Sequence, residues 1–480
     1  MGTQGLTERR APSQILGLMT SRLSKSEIEA LLGRLADVFG ERVSSASLAR
    51  EHHGQDEGYH RAGVPDLVAF PASTEEVSRA IALCAAVRCP VIAWGAGTSL
   101  EGNGLASQGG LCLDLSRMTK VVGVQTQDLS ATVQAGVRRE QLNAELKGTG
   151  LYFPIDPGAD ATLGGMAATR ASGTNAVKYG TMRANVLSCT VVMADGQVVR
   201  TARRAPKSSA GYDLTALMVG SEGTLGVITE LTVRLYPLPE DVVALVCPFD
   251  SIDGAVQAVI AAIQLGLGAA RLEFLDDHMM AALNLYEKTA HAEQPTLFVE
   301  FHGSPASVPG QVARFEDFIG DFGGAVAQKA ARPEDRSALW KARHNALYAA
   351  RALRPGSRAV ITDVCVPISR LADCLLQTRA DLDASSLTAT IVGHVGDGNF
   401  HCLILIDPAD AAQVAEAEAL HQAMARRAIG MDGTCTGEHG VGLGKRDLLV
   451  EELGSAISTM AAIKAALDPH DILNPGKILR

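Results

Sequence analysis

Gly95-Ala96-Gly97-Thr98-Ser99-Leu100-Glu101-Gly102-Asn103-Gly104 follows Val91-Ile92-Ala93-Trp94, a short apolar run that reads as a strand. A loop this rich in glycine presents backbone N–H groups to a phosphate. Two common phosphate loops do not match. The Rossmann fingerprint wants glycine at position 100, where leucine stands, and then a helix; here another strand-like run, residues 110–115, follows. Walker A wants Lys-Ser/Thr after its second glycine, and Asn103-Gly104 stands there. Asp114 lies about where a ribose acid would sit, which we read as coincidence. Taken alone, the loop is also readable as a plain cluster of turns.

Two further segments change that balance. The first runs Asp156-Pro157-Gly158-Ala159-Asp160-Ala161-Thr162-Leu163-Gly164-Gly165-Met166 and continues through Ser172-Gly173-Thr174-Asn175 to Tyr179-Gly180-Thr181-Met182-Arg183. The second is Gly220-Ser221-Glu222-Gly223-Thr224-Leu225-Gly226-Val227-Ile228-Thr229. Small residues at this density suggest main chain packed against a large flat ligand. Together the segments resemble flavoproteins of the vanillyl-alcohol-oxidase type, with their FAD-binding domain. The resemblance runs from about residue 60 to residue 480. Within that family, DPGADATLGGMAATRASGTNAVKYGTMR, GSEGTLG, RLEFLDD, TDVCVPIS, GHVGDGNFH and TCTGEHGVGLGKR look most like the D-lactate dehydrogenase (cytochrome) branch. The D-2-hydroxyglutarate dehydrogenase and glycolate oxidase D-subunit branches are similar but looser matches.

The resemblance implies an α+β protein: an FAD-binding domain of vanillyl-alcohol-oxidase type plus an α+β substrate (cap) domain. It implies Gly95, Gly97, Thr98, Ser99 and Asn103 on the FAD pyrophosphate. Asp156, Pro157, Gly158, Thr162, Gly165, Ser172, Gly173, Asn175, Tyr179, Gly180 and Thr181 would line the adenosine and isoalloxazine. Glu222, Gly226 and Ile228 would close over the cofactor, and Asn474 would return from the C-terminus. Some members attach FAD to a histidine in the first loop. This loop has none, so the expectation is non-covalent FAD.

Gly393-His394-Val395-Gly396-Asp397-Gly398-Asn399-Phe400-His401 carries the second signal. Two histidines bracket a Gly-Asp-Gly-Asn turn between apolar flanks, so a hairpin closed there brings two imidazoles toward one point. Imidazole is a common ligand for divalent transition metals. Thr434-Cys435-Thr436-Gly437-Glu438-His439-Gly440 offers a carboxylate and a further imidazole. Two histidines and one carboxylate leave coordination positions open for a substrate. By resemblance His394, His401 and Glu438 are the ligands of a divalent metal (Zn, Mn or Fe), and His439 is the catalytic base. Asp397 and Asn399 are read as shaping the turn. Arg343, in Leu339-Trp340-Lys341-Ala342-Arg343-His344-Asn345, is the candidate fork for a substrate carboxylate.

The implied reaction is FAD-dependent, metal-assisted oxidation of a D-2-hydroxy acid to the 2-oxo acid, with electrons leaving to an external acceptor: cytochrome c, quinone or a carrier protein. Substrate size is argued from a departure. The hydroxyglutarate branch has a lysine two residues before the aspartate of Asp-Val-x-x-Pro; that position is Ile361 here, ahead of Asp363. An asparagine expected two residues past the second metal histidine is Leu403. Both changes remove partners for a second carboxylate, and an unpaired buried charge is costly. D-lactate is therefore favoured over D-2-hydroxyglutarate or glycolate. A non-catalytic subunit that binds FAD only weakly or not at all is the remaining alternative; retention of His394, His401, Glu438 and His439 argues against it.

At 480 residues the chain exceeds one ordinary core. We expect an N-terminal helical segment (1–62), the FAD-binding domain (63–240), the cap domain with the metal site (241–440) and a C-terminal segment (441–480) returning to the FAD domain. Hydrophobic residues make up 47%, with no run long enough to cross a membrane, so no transmembrane segment is expected. A net charge of −10 disfavours nucleic acid. The nine cysteines are odd in number and form no CxxC, against a disulfide framework or an iron–sulfur cluster. No apolar h-region predicts a secretory signal. Residues 1–26 mimic a mitochondrial presequence in carrying Arg9, Arg10, Arg22 and Lys25 against Glu8, but Ser24 and Glu27 already form a capping box. The expectation is thus a cytoplasmic protein, at most peripheral to the inner membrane, with a mitochondrial location the less favoured.

Overall fold

The computed structural model describes residues 23–61 and 63–480. The presequence-like residues 1–22 lie outside them. The capping box forms as read: Ser24 accepts from the Glu27 amide, Glu27 accepts from the Ser24 amide, and the helix Lys25–Phe39 ends at Gly40.

A four-stranded sheet follows, in the order Val43–Ser44, Leu67–Ala69, Leu111–Asp114, Val91–Trp94, and the last three are parallel. Every residue of Leu67–Ala69 and Leu111–Asp114 is buried, as expected of parallel strands covered on both faces. The crossover helix Thr74–Ala86 buries Val77, Ala80, Ile81 and Cys84, an i, i+3, i+4, i+7 stripe, and Ser73 caps it. An antiparallel sheet of five strands packs beside it, in the order Val121–Gln125, Ser130–Gln134, Val227–Arg234, Val186–Val192, Val198–Arg200. The last two form a hairpin about Asp195-Gly196, an Asp-Gly pair of the kind that favours tight turns. The chain's end comes back to this region: Val91 N–H donates to Ile472 O (2.7 Å) and Asn474 N–H to Val91 O (2.8 Å).

The third sheet is antiparallel with eight strands. Its continuous order is Gln328–Ala330, Asp241–Pro248, Thr296–Gly303, Ala269–Leu275, Thr388–Gly393, Asn399–Ile406, Arg358–Ile361, and Val364–Cys365 pairs separately with Asn399–Ile406. Period-two alternation divides these strands between two faces. Leu272, Phe274, Ile391, Cys402 and Ile404 join one core beneath the helices Ile252–Gln264, Val308–Ile319, Leu371–Ala384 and Ala411–Gly430. Leu275, Val392, Leu403 and Leu405 belong to the opposite face, covered by Asp277–Glu287, Pro333–His344 and Ala346–Ala352. Those three helices were not anticipated. The strands Arg358–Ile361 and Val364–Cys365 are separated at Thr362-Asp363, where the Asp363 carboxylate turns inward to collect donors from Asn399 and from the loop of Thr436 and His439.

Candidate active site

One cavity of about 600 Å³ runs from the glycine loop to the two histidine motifs, within the ~300–1,000 Å³ usual for small-molecule and cofactor sites. At one end it is walled by main chain and small side chains. Gly97 there has φ +72°, and a Cβ on it would meet the Trp94 ring at 2.7 Å. Of the residues expected on FAD, Gly95, Gly97, Thr98, Ser99, Asn103, Asp156, Pro157, Gly158, Thr162, Gly165, Glu222, Gly226 and Ile228 line this cavity.

Ser172, Gly173, Asn175, Tyr179, Gly180, Thr181 and Asn474, also expected on the cofactor, do not line it. They brace the wall from behind. A Cβ on Gly173 would lie 2.4 Å from Asp156 O. Asn175 donates its backbone N–H to Asp156 Oδ1 (3.0 Å) and its amide to Pro154 O (3.0 Å). The Tyr179 hydroxyl meets His302 Nδ1 at 2.9 Å, and Thr181 caps the short helix Met182–Asn185. Asn474 donates to the carbonyls of Asn103 (2.8 Å) and Glu222 (2.7 Å), clamping two loops together. Nor does the Glu222 carboxylate simply cover the cavity. It accepts from Asn103 Nδ2 (2.6 Å), Val441 N–H (2.7 Å) and Gly442 N–H (2.9 Å), so it ties the glycine loop to the loop that follows His439.

The cradle fits a flavin nucleotide. Its walls are rich in glycine and alanine, which leave backbone facing inward, and the buried Oδ1 of Asn103 has no partner among the described residues.

At the other end, His394 and His401 come from the two sides of the Val395–Asp397 turn, with ring centroids 5.5 Å apart. Both Nε2 atoms lie 3.2 Å from Glu438 Oε1. The far nitrogens are occupied: His394 Nδ1 by Glu273 Oε1 (2.7 Å), His401 Nδ1 by Thr362 O (3.0 Å). An Nδ1–H donor on each ring leaves the Nε2 lone pairs facing a carboxylate oxygen. One cation bound by all three groups satisfies what would otherwise take a proton on each ring. The residues present therefore fit a divalent ion. Asp363, His401 and His439 form a second grouping with metal-ligand spacing. Asp363 is already saturated, accepting from Glu438 N–H (3.0 Å), His439 N–H (3.0 Å), Thr436 Oγ1 (2.7 Å) and Asn399 Nδ2 (2.8 Å). It is the anchor of the Glu438-His439 loop.

His439 stacks on His401 with centroids 5.0 Å apart, lines the cavity, and has no hydrogen-bond partner for Nδ1 among the described residues. Burial lowers its pKa and outweighs the neighbouring Asp363, so at neutral pH it is an uncharged imidazole with a free lone pair. Burial would raise the carboxyl pKa of Glu438, but His394 beside it holds it well below the ordinary range. Burial would likewise lower His394, and Glu273 and Glu438 hold it raised.

Arg343 lines the cavity but is not a free fork. Its Nε and Nη2 both donate to Glu273 Oε2, at 2.9 and 2.6 Å. Glu273 is a residue the sequence reading missed, as are Lys445 and Glu101. Lys445 is wholly buried, with Nζ 3.0 Å from Glu101 Oε1 and 3.6 Å from Asp363 Oδ2. The available signal was a carboxylate inside an apolar strand, Arg271-Leu272-Glu273-Phe274-Leu275, and a polar break in another, Ile361-Thr362-Asp363-Val364. Across the cluster four carboxylates (Glu101, Glu273, Asp363, Glu438) face two permanent cations (Arg343, Lys445), an excess of negative charge suited to a divalent ion.

Residues 65–202 match the family described as FAD binding domain, and residues 238–478 match the family described as FAD linked oxidases, C-terminal domain. The chain is 53% identical to a probable mitochondrial D-lactate dehydrogenase of Danio rerio over 94% of its own length and 92% of the relative's. It is 45% identical to the mitochondrial D-lactate dehydrogenase [cytochrome] of Arabidopsis thaliana, covering 94% of this chain and 80% of that one. Among solved structures, the 4-ethylphenol oxidase of Gulosibacter chungangensis superposes with a TM-score of 0.80 at 19% identity, over 95% of this chain and 98% of that one; at that identity it speaks for the fold alone. The names of both relatives place them in mitochondria, which overturns the expectation that a mitochondrial location is the less favoured. With a cradle that fits a flavin, matches across both halves and relatives similar over nearly the whole chain, the protein belongs to the FAD-linked oxidases and has the vanillyl-alcohol-oxidase type of fold.

Proposed function

We propose that this chain oxidises a D-2-hydroxy acid, D-lactate above others, to the 2-oxo acid. It does so with non-covalent FAD and one divalent cation held by His394, His401 and Glu438. The observation that carries this reading is the sharing of one cavity by the glycine cradle, those three ligands and the unpartnered imidazole of His439. When bound, the flavin supplies the two-electron sink, and the cation supplies the Lewis acidity that lowers a hydroxyl pKa.

The protein's own groups do the rest. His439, neutral, accepts the C2 hydroxyl proton through Nε2, which lies 4.0 Å from Glu438 Oε1, while Nδ1 is buried toward Asp363. Arg343 keeps Nη1 outside its pair with Glu273 and offers it to the substrate carboxylate. The substrate side chain meets Leu347, Ile361, Val392 and Leu403. Ile361 and Leu403 are direct cross-strand partners, so the two departures from the hydroxyglutarate pattern form one apolar patch. A second carboxylate placed there lacks a partner, which supports a short or apolar side chain. Electrons then pass to an external acceptor. The name of the Arabidopsis relative supports a cytochrome in that role, over quinone or another carrier.

Steady-state turnover of D-lactate, L-lactate, D-2-hydroxyglutarate and glycolate tests the reading, before and after chelation and with Zn²⁺, Mn²⁺ or Fe²⁺ restored. D-lactate should give the highest kcat/KM, abolished by chelator and recovered with one of these metals. Ile361→Lys should shift the kcat/KM ratio toward D-2-hydroxyglutarate by about tenfold or more, as expected when a buried charge gains a partner. Wild-type preference for D-2-hydroxyglutarate, or an unchanged ratio in the variant, contradicts the pocket assignment. A flavin-free protein without turnover returns the non-catalytic subunit that binds FAD weakly or not at all.

A further inference from the structure

The strand Ala269–Leu275 alternates apolar and charged residues, and that alternation singles out Glu273. Leu272 and Phe274 point into the apolar core, whereas Glu273 faces the other way with no exposure to solvent. A buried carboxylate is costly unless its oxygens are paired. Here each oxygen has a different partner. Oε1 lies 2.7 Å from His394 Nδ1, and Oε2 accepts from Arg343 Nε (2.9 Å) and Nη2 (2.6 Å). One partner presents its other nitrogen to Glu438; the other lines the cavity.

We infer that Glu273 is a positioning residue that sets both the affinity of the cation site, through His394, and the binding of the substrate carboxylate, through Arg343. The inference rests on the proposed roles of those two residues. Glu273 itself lies behind them, and acts by what it does to each. Accepting from Nδ1–H fixes the His394 tautomer, aims its Nε2 lone pair at Glu438 and makes the ring a stronger donor to a cation. Binding Nε and Nη2 along one edge of the guanidinium holds the planar fork of Arg343 in a single orientation, so that little freedom remains to be lost when a carboxylate arrives. A single carboxylate thus ties together the two ends of one substrate: the hydroxyl end at the cation and the carboxylate end at the arginine.

Glu273→Gln and Glu273→Asp separate this from a role in folding alone. The amide keeps the shape without the charge; the shorter acid keeps the charge without reaching both partners. Each variant would be purified with FAD. Cation affinity would be read by competition with a chromophoric chelator for Mn²⁺ and Zn²⁺, and kcat and KM for D-lactate at saturating metal. E273Q should weaken cation binding about tenfold to a hundredfold, as loss of an outer partner of a ligating histidine does. KM should rise by about tenfold while kcat at saturation stays within about threefold, the pattern of lost binding rather than lost chemistry. E273D, which serves if the amide variant does not fold, should lose part of both.

His394→Ala distinguishes the two levels of the argument. If the wild type binds neither cation and H394A changes nothing, the metal reading and this inference fall together. If H394A abolishes cation binding while E273Q and E273D keep wild-type cation affinity and KM, even with a lower Tm, the inference alone is overturned.

Discussion

The glycine cradle and the histidine cluster sit at opposite ends of one cavity and are held by different forces. In the cradle the contacts are steric and made by main chain. A Cβ on Gly164 would lie 2.5 Å from Ala135 Cβ and 2.9 Å from Ala135 O, and one on Gly95 would lie 2.4 Å from the Thr162 hydroxyl that caps the following helix. In the cluster the contacts are electrostatic and made by side chains: Glu101, Glu273, Asp363 and Glu438 set against Arg343 and Lys445, around three histidines. Damage to the cradle should therefore appear as lost flavin and stability. Damage to the cluster should appear as lost rate, lost cation or altered pH dependence. Glu222 is where the two meet, with its carboxylate on Asn103 of the cradle and on the amides of Val441 and Gly442 beyond His439.

The largest expected effect lies in the cluster. His439→Asn should lower kcat by about 10²–10⁴, the usual worth of a positioned base, with flavin and metal content unchanged. Flavin absorbance, metal analysis and turnover on one preparation check this; flavin loss in parallel with rate would break the division between the two ends.

A second effect concerns pH. Burial pushes the His421 pKa down to about 4, with Lys445 adding to the shift and Glu101 and Glu418 opposing it; His60 also bears on it. Above the ordinary imidazole pKa of about 6.5, His421 is neutral both folded and unfolded and contributes no pH dependence. Below that, the unfolded chain binds a proton that the folded chain refuses until about pH 4. Stability therefore falls as pH drops through this window, by roughly 3 kcal/mol. Denaturant melts of wild type and His421→Leu across pH 4–7 should give a shallower slope for the variant; identical slopes would contradict the assignment.

The smallest effect is in the cradle. Gly164→Ala should cost about 1–3 kcal/mol of stability through overpacking and reduce flavin occupancy, while leaving cation affinity of the remaining folded protein intact. Thermal melts with and without added FAD, beside metal titration, check it.

The same contrast explains what was legible in the sequence. Cradle segments announce themselves because close backbone approach demands small residues in continuous stretches, so residues 95–104, 156–166 and 220–229 stood out. The strand–turn–strand around residues 394–401 was equally readable, since apolar flanks and an Asp-Gly turn are local properties. The framework of the cluster was not. Glu273, Asp363, Lys445 and Glu101 are charged residues that become interior only through partners far away in the chain, such as Arg343 for Glu273. The helix Pro333–His344 was missed for a related reason: it buries only Leu339, Trp340 and Arg343, and its first turn is dominated by charge. Tyr179, Gly180 and Thr181, placed near the cofactor by resemblance, have hydrogen bonds that the sequence did not disclose: the Tyr179 hydroxyl meets His302, and Thr181 caps the helix Met182–Asn185.

The most direct test of the account is anaerobic mixing of the purified holoprotein with D-lactate and, separately, L-lactate, following flavin absorbance before and after chelation. The account predicts rapid bleaching by D-lactate alone, lost with chelator and recovered when a divalent metal is restored. Bleaching that survives complete metal removal, or that L-lactate produces equally well, would contradict it.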